Sequence, residues 1–394
     1  MGEQPVATLI EDEFPGEWGG SVAGADLCEA FVLRATNFVD GGLDYSSGAR
    51  RFVPRTKVAR KRLRKGDLLL EAAGGGPGVP VGRVACFDPP DDRVYLVSNF
   101  FRTLRPASGA DSRFAFHLLD DLYRQPKIWE VQQQTTGIIN LKVQDYLQFP
   151  VRVPPLEEQR RIAEILDTVD ETIQATERVI AKQSALLTGL SGYLFAQDTE
   201  HRRLSELSRR ITYGFTNPMP TALTGPWMLT AADVGYRQVL LDQARRTSEA
   251  AFQGLLSDKS RPSAGDILVT KDGTLGRVAV LGSERACVNQ SVAVISPFDP
   301  AESDFIAEYL LSPLGQQTLL AGAGGSTIKH LYISTMADLE IPWPDPDVRS
   351  RSVGTIRAAV DRVDALRAEV DKLRQVRMGL AADLLSGRVR TVVA

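Results

Sequence analysis

Three cysteines and three histidines in 394 residues leave little material for a reactive centre, and neither set is grouped. Cys28, Cys86 and Cys287 are widely separated, so they form no metal spacing and no disulfide framework. His117, His201 and His330 stand in no Ser or Cys nucleophile context and show no metal-ligand spacing. No segment approaches about 18 uninterrupted apolar residues, which argues against a membrane span. The glycine cluster from Gly74 to Gly78 has no Gly-Lys-Ser/Thr after it and is no P-loop. Neither half carries the Gly-x-Gly-x-x-Gly fingerprint of a dinucleotide fold between a strand and a helix. Asp88-Pro89-Pro90-Asp91 lacks the aromatic of an amino-group methyltransferase motif and reads as a turn. The N-terminus, with Glu3, Glu11, Asp12 and Glu13, lacks the basic start and apolar core of a signal peptide. These absences lead us to expect no catalytic residue, no metal and a reducing cytoplasmic setting.

What is present is a long helical pattern. Pro154-Pro155-Leu156-Glu157-Glu158-Gln159-Arg160-Arg161-Ile162-Ala163-Glu164-Ile165-Leu166-Asp167 opens it, and no proline follows for about 60 residues. Ile162, Leu166, Val169, Ile173, Ile180, Leu187 and Leu190 then recur at alternating spacings of four and three, the seam of a coiled coil. Acids in the first turn suit the positive end of the helix dipole. A rod of roughly 60 Å follows from 1.5 Å per residue, and a seam of that length needs a partner.

The partner lies in the same chain. About 190 residues later the pattern returns as Ile356, Val363, Leu366, Val370, Leu373 and Leu380, again behind a proline-rich stretch, Pro342-Trp343-Pro344-Asp345-Pro346. The regions ahead of the helices repeat too. Gly66-Asp67-Leu68-Leu69-Leu70 corresponds to Gly265-Asp266-Ile267-Leu268-Val269, and Gly82-Arg83-Val84 to Gly276-Arg277-Val278. Val97-Ser98-Asn99 corresponds to Val288-Asn289-Gln290. An internal duplication explains this, with two α/β (α+β) domains, each followed by a long helix, and the two helices paired antiparallel. Between those frames, Ser112 to Gln125 reads as a helix and Gln132 to Gly137 as a polar turn. The first thirty residues are hard to read and lack the pattern that Thr199 to Pro220 shows.

Net charge is −3, which does not advertise nucleic acid, but its distribution does. From Arg50 to Lys65 there are nine basic residues and no acid. A solvated loop and strand edge is the plainer reading; nine cations without an acid exceed what solubility requires, which makes a surface facing phosphates at least as good a reading. Polar donors also collect in loops. Lys271, Thr274 and Arg277 flank a Gly273 turn that is otherwise an ordinary hairpin, and Thr327, Lys329 and His330 follow a run of small residues. Asn289 and Gln290 are adenine-reading types that can equally cap a strand end. The DNA-contact candidates are Arg50, Arg51, Arg55, Lys57, Arg83, Asn99, Asn140 and Lys142 in the first domain. In the second they are Lys271, Thr274, Arg277, Asn289, Gln290, Thr327, Lys329 and His330.

These residues resemble the specificity subunits of type I restriction–modification systems. The resemblance rests on the proline-led helix start and on Gly-Asp-Ile-Leu-Val-Thr with its downstream Gly-Arg-Val, matched in the first half by Gly-Asp-Leu-Leu-Leu and Gly-Arg-Val. It also rests on Ser326 to Leu331 and on Leu384-Leu385-Ser386-Gly387-Arg388. It implies target recognition domains at residues 1–153 and 199–343, spacer helices at 154–198 and 344–388, and a tail at 389–394. It implies a non-catalytic chain that reads a bipartite site in double-stranded DNA. Two modification subunits carrying S-adenosylmethionine would methylate adenine, and motor–nuclease restriction subunits would join them. The alternatives are a coiled-coil scaffold whose heads bind protein, or the DNA-reading part of another phage-defence assembly.

Overall fold

The computed structural model describes residues 2–39, 42–75, 78–135, 137–324 and 329–391. The chain divides into two units, residues 1–178 with 368–394, and residues 179–367. Each unit is built on a four-stranded antiparallel sheet. In the first unit its order is Ile10–Pro15, Phe101–Pro106, Leu68–Glu71, Val84–Cys86. In the second it is Ser208–Tyr213, Val292–Pro297, Ile267–Thr270, Val278–Val280, the same order in the same chain sequence. The Gly-Asp-Leu-Leu-Leu and Gly-Asp-Ile-Leu-Val runs are therefore central strands. They are continuously apolar because both faces are covered. Leu68 and Leu70 pack towards a helix, Ser112–Arg124, while Leu69 faces a second sheet. Ile267 and Val269 pack towards helix Ser303–Leu311, and Leu268 faces the second sheet of its own unit.

That second sheet also recurs. Tyr95–Val97 lies parallel to Leu27–Leu33, which pairs antiparallel with Ala49–Pro54. Ala286–Val288 lies parallel to Ala222–Leu229, which pairs antiparallel with Arg245–Arg246.

Two expectations need correction. The first thirty residues do adopt the arrangement of Thr199 to Pro220: Gln4–Pro5 pairs with Pro150–Val151 as His201–Arg203 pairs with Glu340–Pro342. Ile10–Pro15 then takes the edge position held by Ser208–Tyr213. Both strands end at a glycine that lies against backbone. A Cβ at Gly16 would sit 2.1 Å from the Ser98 carbonyl oxygen, and one at Gly214 would sit 1.7 Å from that of Val288. Besides this glycine only Leu9 and Leu207 coincide over the stretch, which is why the sequence concealed the match. The second correction concerns Gln132–Thr135, which is a strand paired with Ile138–Leu141 and not a turn.

The proline-led helix starts have a structural reason. The first long helix runs Leu156–Phe195 and the second Pro346–Ser386. Gln159, buried in the first turn, donates to the carbonyls of Pro154 and Gly109 and accepts the N–H of Asp111. Asp111 in turn caps helix Ser112–Arg124 by accepting from the backbone N–H groups of Arg113 and Phe114. Arg349 stands at the equivalent place in the second helix. It donates to the Pro344 carbonyl, pairs with Glu302 ahead of helix Ser303–Leu311, and lies over the Trp343 ring. Each clamp joins the start of a long helix to the start of its domain's helix.

The two long helices pack together and run antiparallel. Within the first unit, Ile162, Ala163 and Leu166 share a core with Ala381, Leu384 and Leu385, while Glu177 pairs with Arg374 at 2.7 Å. Within the second, Leu187, Leu194 and Phe195 share a core with Val353, Ile356 and Val360. Ile173, Val363, Leu366 and Val370 are buried; Val169, Ile180, Leu190, Leu373 and Leu380 are partly so.

One buried seam position is charged. Arg377 donates to both carboxylate oxygens of Asp170, at 3.1 and 3.2 Å, and pairs with Asp120 at 3.2 Å. It also donates to Nδ1 of the buried His117, leaving Nε2 of that ring to donate to Asp167 at 2.8 Å. Burial alone would push the Asp167 carboxyl up from its ordinary 3.8, but hydrogen bonds from His117 and Arg113 outweigh it and hold it at about 2.

Two predictions follow from this packing. Leu166 is 0% exposed and Leu186 57% exposed. Leu166→Ala should cost roughly 2–5 kcal/mol in denaturant unfolding, and Leu186→Ala no more than about 0.5 kcal/mol. Equal losses would refute the assigned seam. The depressed Asp167 carboxyl contributes stability that is complete above its ordinary value and is lost as pH falls from about 4 through about 2. Melting curves of the wild type and Asp167→Asn should therefore differ most above pH 4 and converge below 2, and a pH-independent gap would remove this assignment.

Candidate nucleic-acid interface

In the first unit the candidate residues fall into two groups. The first lies on strand Ala49–Pro54 and the helix Arg55–Lys61 that follows it. Arg50 is exposed and pairs loosely with Glu29 at 3.3 Å. Arg51 lies over the Trp18 ring at 4.2 Å, with its Nε buried and unbonded. Lys57 is joined to Glu17 at 3.0 Å, as is Lys61. Burial opposes ionisation of Glu17, but these two ammonium groups outweigh it and hold its carboxyl below the ordinary range. Arg55 is exposed beside a cleft of about 620 Å³ that Arg62, Arg64, Lys65 and Arg93 also line, with Asp91 and Asp92 opposing them. The basic run is thus partly compensated by acids distant in sequence.

The second group surrounds the end of the central strand. Asn99 is exposed in a turn whose neighbour Phe100 accepts the N–H groups of Ala72 and Ala73 through its carbonyl. Asn140 lies on strand Ile138–Leu141, opposite Ala73, and the exposed Lys142 follows. Arg83 is held by Glu71, with Nε and Nη2 each 2.9 Å from a carboxylate oxygen. The Glu71 hydrogen bond pushes the Arg83 guanidinium further up.

In the second unit the candidates gather more tightly. Lys271 lies 2.9 Å from Asp272 and 5.4 Å from the Tyr213 ring centre. His330 Nδ1 is 2.5 Å from Asp272. Burial raises the Asp272 carboxyl, and hydrogen bonds from Lys271 and His330 bring it below its ordinary value. Backbone bonds tie these loops together: Leu331 donates to Lys271, and Lys271 to Ser291. Lys329 and Thr274 are exposed at the same edge, and Gly273 has the positive φ its turn needs. Thr327 lies outside the described residues. Asn289 accepts from the N–H and hydroxyl of Ser291, so its Oδ1 is engaged in a local turn. Asn289 and the exposed Gln290 line a cleft of about 310 Å³ with Phe215, Asn217, Met228 and Arg245. Arg277 has its backbone N–H on the Thr270 hydroxyl at 2.9 Å and its guanidinium 5.9 Å from the Tyr236 ring centre.

The sequence reading missed the aromatic partners. Trp18 under Arg51, Trp227 under Arg246 at 3.4 Å, and Tyr236 beside Arg277 are brought in by other segments, Trp227 on a strand and the other two in loops. No spacing signal announces them. Among the described residues no group of three His, Cys, Asp or Glu could hold a metal ion, and no helix is long and apolar enough to cross a membrane.

Comparison with known proteins bears on what such an edge serves. The family model described as the type I restriction modification DNA specificity domain matches residues 52–182 and again 243–355, more than half of the chain. The chain is 25% identical over 264 residues to the type I restriction enzyme EcoBI specificity subunit of Escherichia coli, covering 58% of this chain and 54% of that protein. It thus spans about half the length of that relative. It is 20% identical over 392 residues to the putative type I restriction enzyme MjaX specificity subunit of Methanocaldococcus jannaschii, covering 91% and 87%. Among solved structures, the type I restriction–modification S subunit from M. genitalium matches with a TM-score of 0.58 at 14% identity, over 97% of this chain and 95% of that one. A chain from a structural study of complex assembly and conformational transition in a type I R-M system matches at 0.60 and 16% identity, over 98% of both. At these identities the structures establish the shared fold. The family match, repeated on both copies of the duplicated domain, establishes the rest: the chain belongs to the type I restriction modification DNA specificity family.

Proposed function

We propose that this chain is the non-catalytic specificity subunit of a type I restriction–modification complex and reads a bipartite target in double-stranded DNA. The observation that carries the reading is the duplication: two domains of one topology, each matched by the DNA specificity model, each bearing a different set of donors on the same strand ends. One scaffold with two donor sets suits two half-sites of different sequence. Adenine methylation would come from two modification subunits holding S-adenosylmethionine, and cleavage from motor–nuclease subunits, all in the cytoplasm. The long helices offer a place for such partners. Val179, Leu186 and Tyr193 recur every seven residues on the first helix and are exposed, as are Val376 and Met378 on the second. A scaffold that binds only protein would leave the cationic, aromatic-backed strand ends without a ligand.

The direct test is to co-express the chain with its modification subunit in a methylation-free host and map adenine methylation. A bipartite motif with a fixed gap is expected, and an assembled complex that methylates nothing would refute the reading. Binding of the complex to its target duplex should weaken steeply between about 50 and 200 mM salt. Lys329→Ala should weaken binding to all sequences and lower the salt slope by about one. A change in sequence preference alone would show that Lys329 is no phosphate contact.

A further inference from the structure

The duplicated fold permits a comparison position by position, and one pair differs in charge balance. Glu71 ends a central strand, and its N–H donates to the Arg83 carbonyl at 2.8 Å. Thr270 ends the equivalent strand, and its N–H donates to the Arg277 carbonyl at 2.9 Å. Arg83 and Arg277 each precede a strand in the same register, Leu70 opposite Val84 and Val269 opposite Val278. Each guanidinium lies beside one aromatic ring, Phe38 at 5.6 Å and Tyr236 at 5.9 Å. Both rings follow a short 3-10 turn, Ala35–Asn37 or Ala231–Asp233. Backbone and arginine are thus the same in both domains, and each guanidinium has an aromatic neighbour, Phe38 directly after its turn and Tyr236 three residues after its own.

The residue opposite is not. In the first domain Glu71, its side chain 5% exposed, fills the Arg83 fork with both carboxylate oxygens. In the second, Thr270 is uncharged, and its hydroxyl accepts the backbone N–H of Arg277 and leaves the guanidinium alone. Among the described residues Arg277 has no carboxylate within ion-pair distance, and its Nε is buried and unbonded. The guanidinium is thus not committed to an internal ion pair, unlike that of Arg83. The adjoining Tyr236 ring is 60% exposed, so the guanidinium plane has an open aromatic wall beside it.

We infer that Arg277 reads a base edge in the half-site bound by the second domain, donating through its planar fork to O6 and N7 of a guanine, with Tyr236 as its backing. The same comparison makes Glu71 a latch that keeps Arg83 off the DNA, against the expectation from sequence that both arginines contact it. A base edge is favoured over a phosphate because the Arg277 stem is partly buried and its backbone is pinned to Thr270. A fixed fork selects geometry, whereas phosphate contacts are served by exposed, freely moving cations such as Lys329.

The inference rests on the DNA-reading function proposed above, and the test separates the two. Methylation mapping and salt-titrated binding are performed with the complex of this chain and its modification subunit, for the wild type, Arg277→Ala, Arg277→Lys, Thr270→Glu and Arg83→Lys. Melting temperatures serve as the folding check. If the wild type yields no motif, the DNA reading itself fails. If it yields one, Arg277→Ala and Arg277→Lys should both relax discrimination at one guanine of one half-site by roughly 5- to 150-fold. Thr270→Glu, which builds the first domain's latch into the second, should do the same with the arginine still present. Arg83→Lys should leave both half-sites unchanged. A phosphate role would instead show as uniform weakening by Arg277→Ala with a lower salt slope and near-complete rescue by Arg277→Lys; that pattern overturns the inference. No change in either Arg277 variant also overturns it, and relaxation of the other half-site by Arg83→Lys overturns the latch. Should Thr270→Glu melt early, the two Arg277 variants decide the matter alone.

Discussion

A helix of forty residues with an apolar seam cannot remain exposed along that seam, and the arrangement of this chain follows from how the seam is covered. Within each unit the covering comes from two sources: the domain's own helix and central sheet on one side, and the other long helix on another. The first source explains the clamps at Gln159 and Arg349. A helix that begins two residues after a proline has unsatisfied N–H groups and a free approach angle, and a buried side chain that bonds the preceding loop fixes both. Gln159 does so with amide hydrogen bonds and Arg349 with an ion pair and a stacked indole. Different chemistry at one position meets one geometric need.

The second source explains why a charge is tolerated inside the seam. Arg377 carries a cation into a buried position, where an unpaired charge would cost several kcal/mol. Asp120 and Asp170 supply compensating carboxylates, and His117 a further hydrogen-bond partner through Nδ1. Asp120 and His117 belong to the recognition domain's helix, and Asp170 to the long helix. The network therefore holds the register of three elements at once, which apolar contacts alone specify poorly. A leucine at the same place would satisfy the seam without choosing among its registers.

What the sequence revealed and concealed divides along the same line. The seam, the duplication and the central strands were legible because they depend on periodic burial, and residues such as Leu166, Ile356 and Leu68–Leu70 can be nothing but apolar. The opening of the first domain was not legible, because its strand is an edge with one covered side and its one essential feature is a glycine against a carbonyl. The candidate site was legible only as a set of donors. Whether a donor is spent internally depends on cross-strand partners, and Glu71 lies twelve positions before Arg83, a spacing without meaning until the strands are paired. His330 likewise reaches Asp272, beside Lys271, across 58 positions.

The duplicated scaffold also shows where variation costs least. Strand ends and the turns after them contribute backbone hydrogen bonds to the sheet whatever their side chains are, as the matching bonds at Glu71 and Thr270 show. Glu71 and Thr270 are both buried, yet each is satisfied by a local partner, the Arg83 guanidinium or the Arg277 N–H, so a carboxylate can stand where a hydroxyl stands in the other copy without changing strand register. The central residues have no such freedom: Leu69 and Leu268 each face a second sheet and meet other apolar side chains there. If the two domains bind different half-sites as proposed, the difference arises from the charge balance and hydrogen-bond occupancy of a few strand-end residues. A scaffold whose stability and readout rest on separate residues can be used twice in one chain and still read two different sequences.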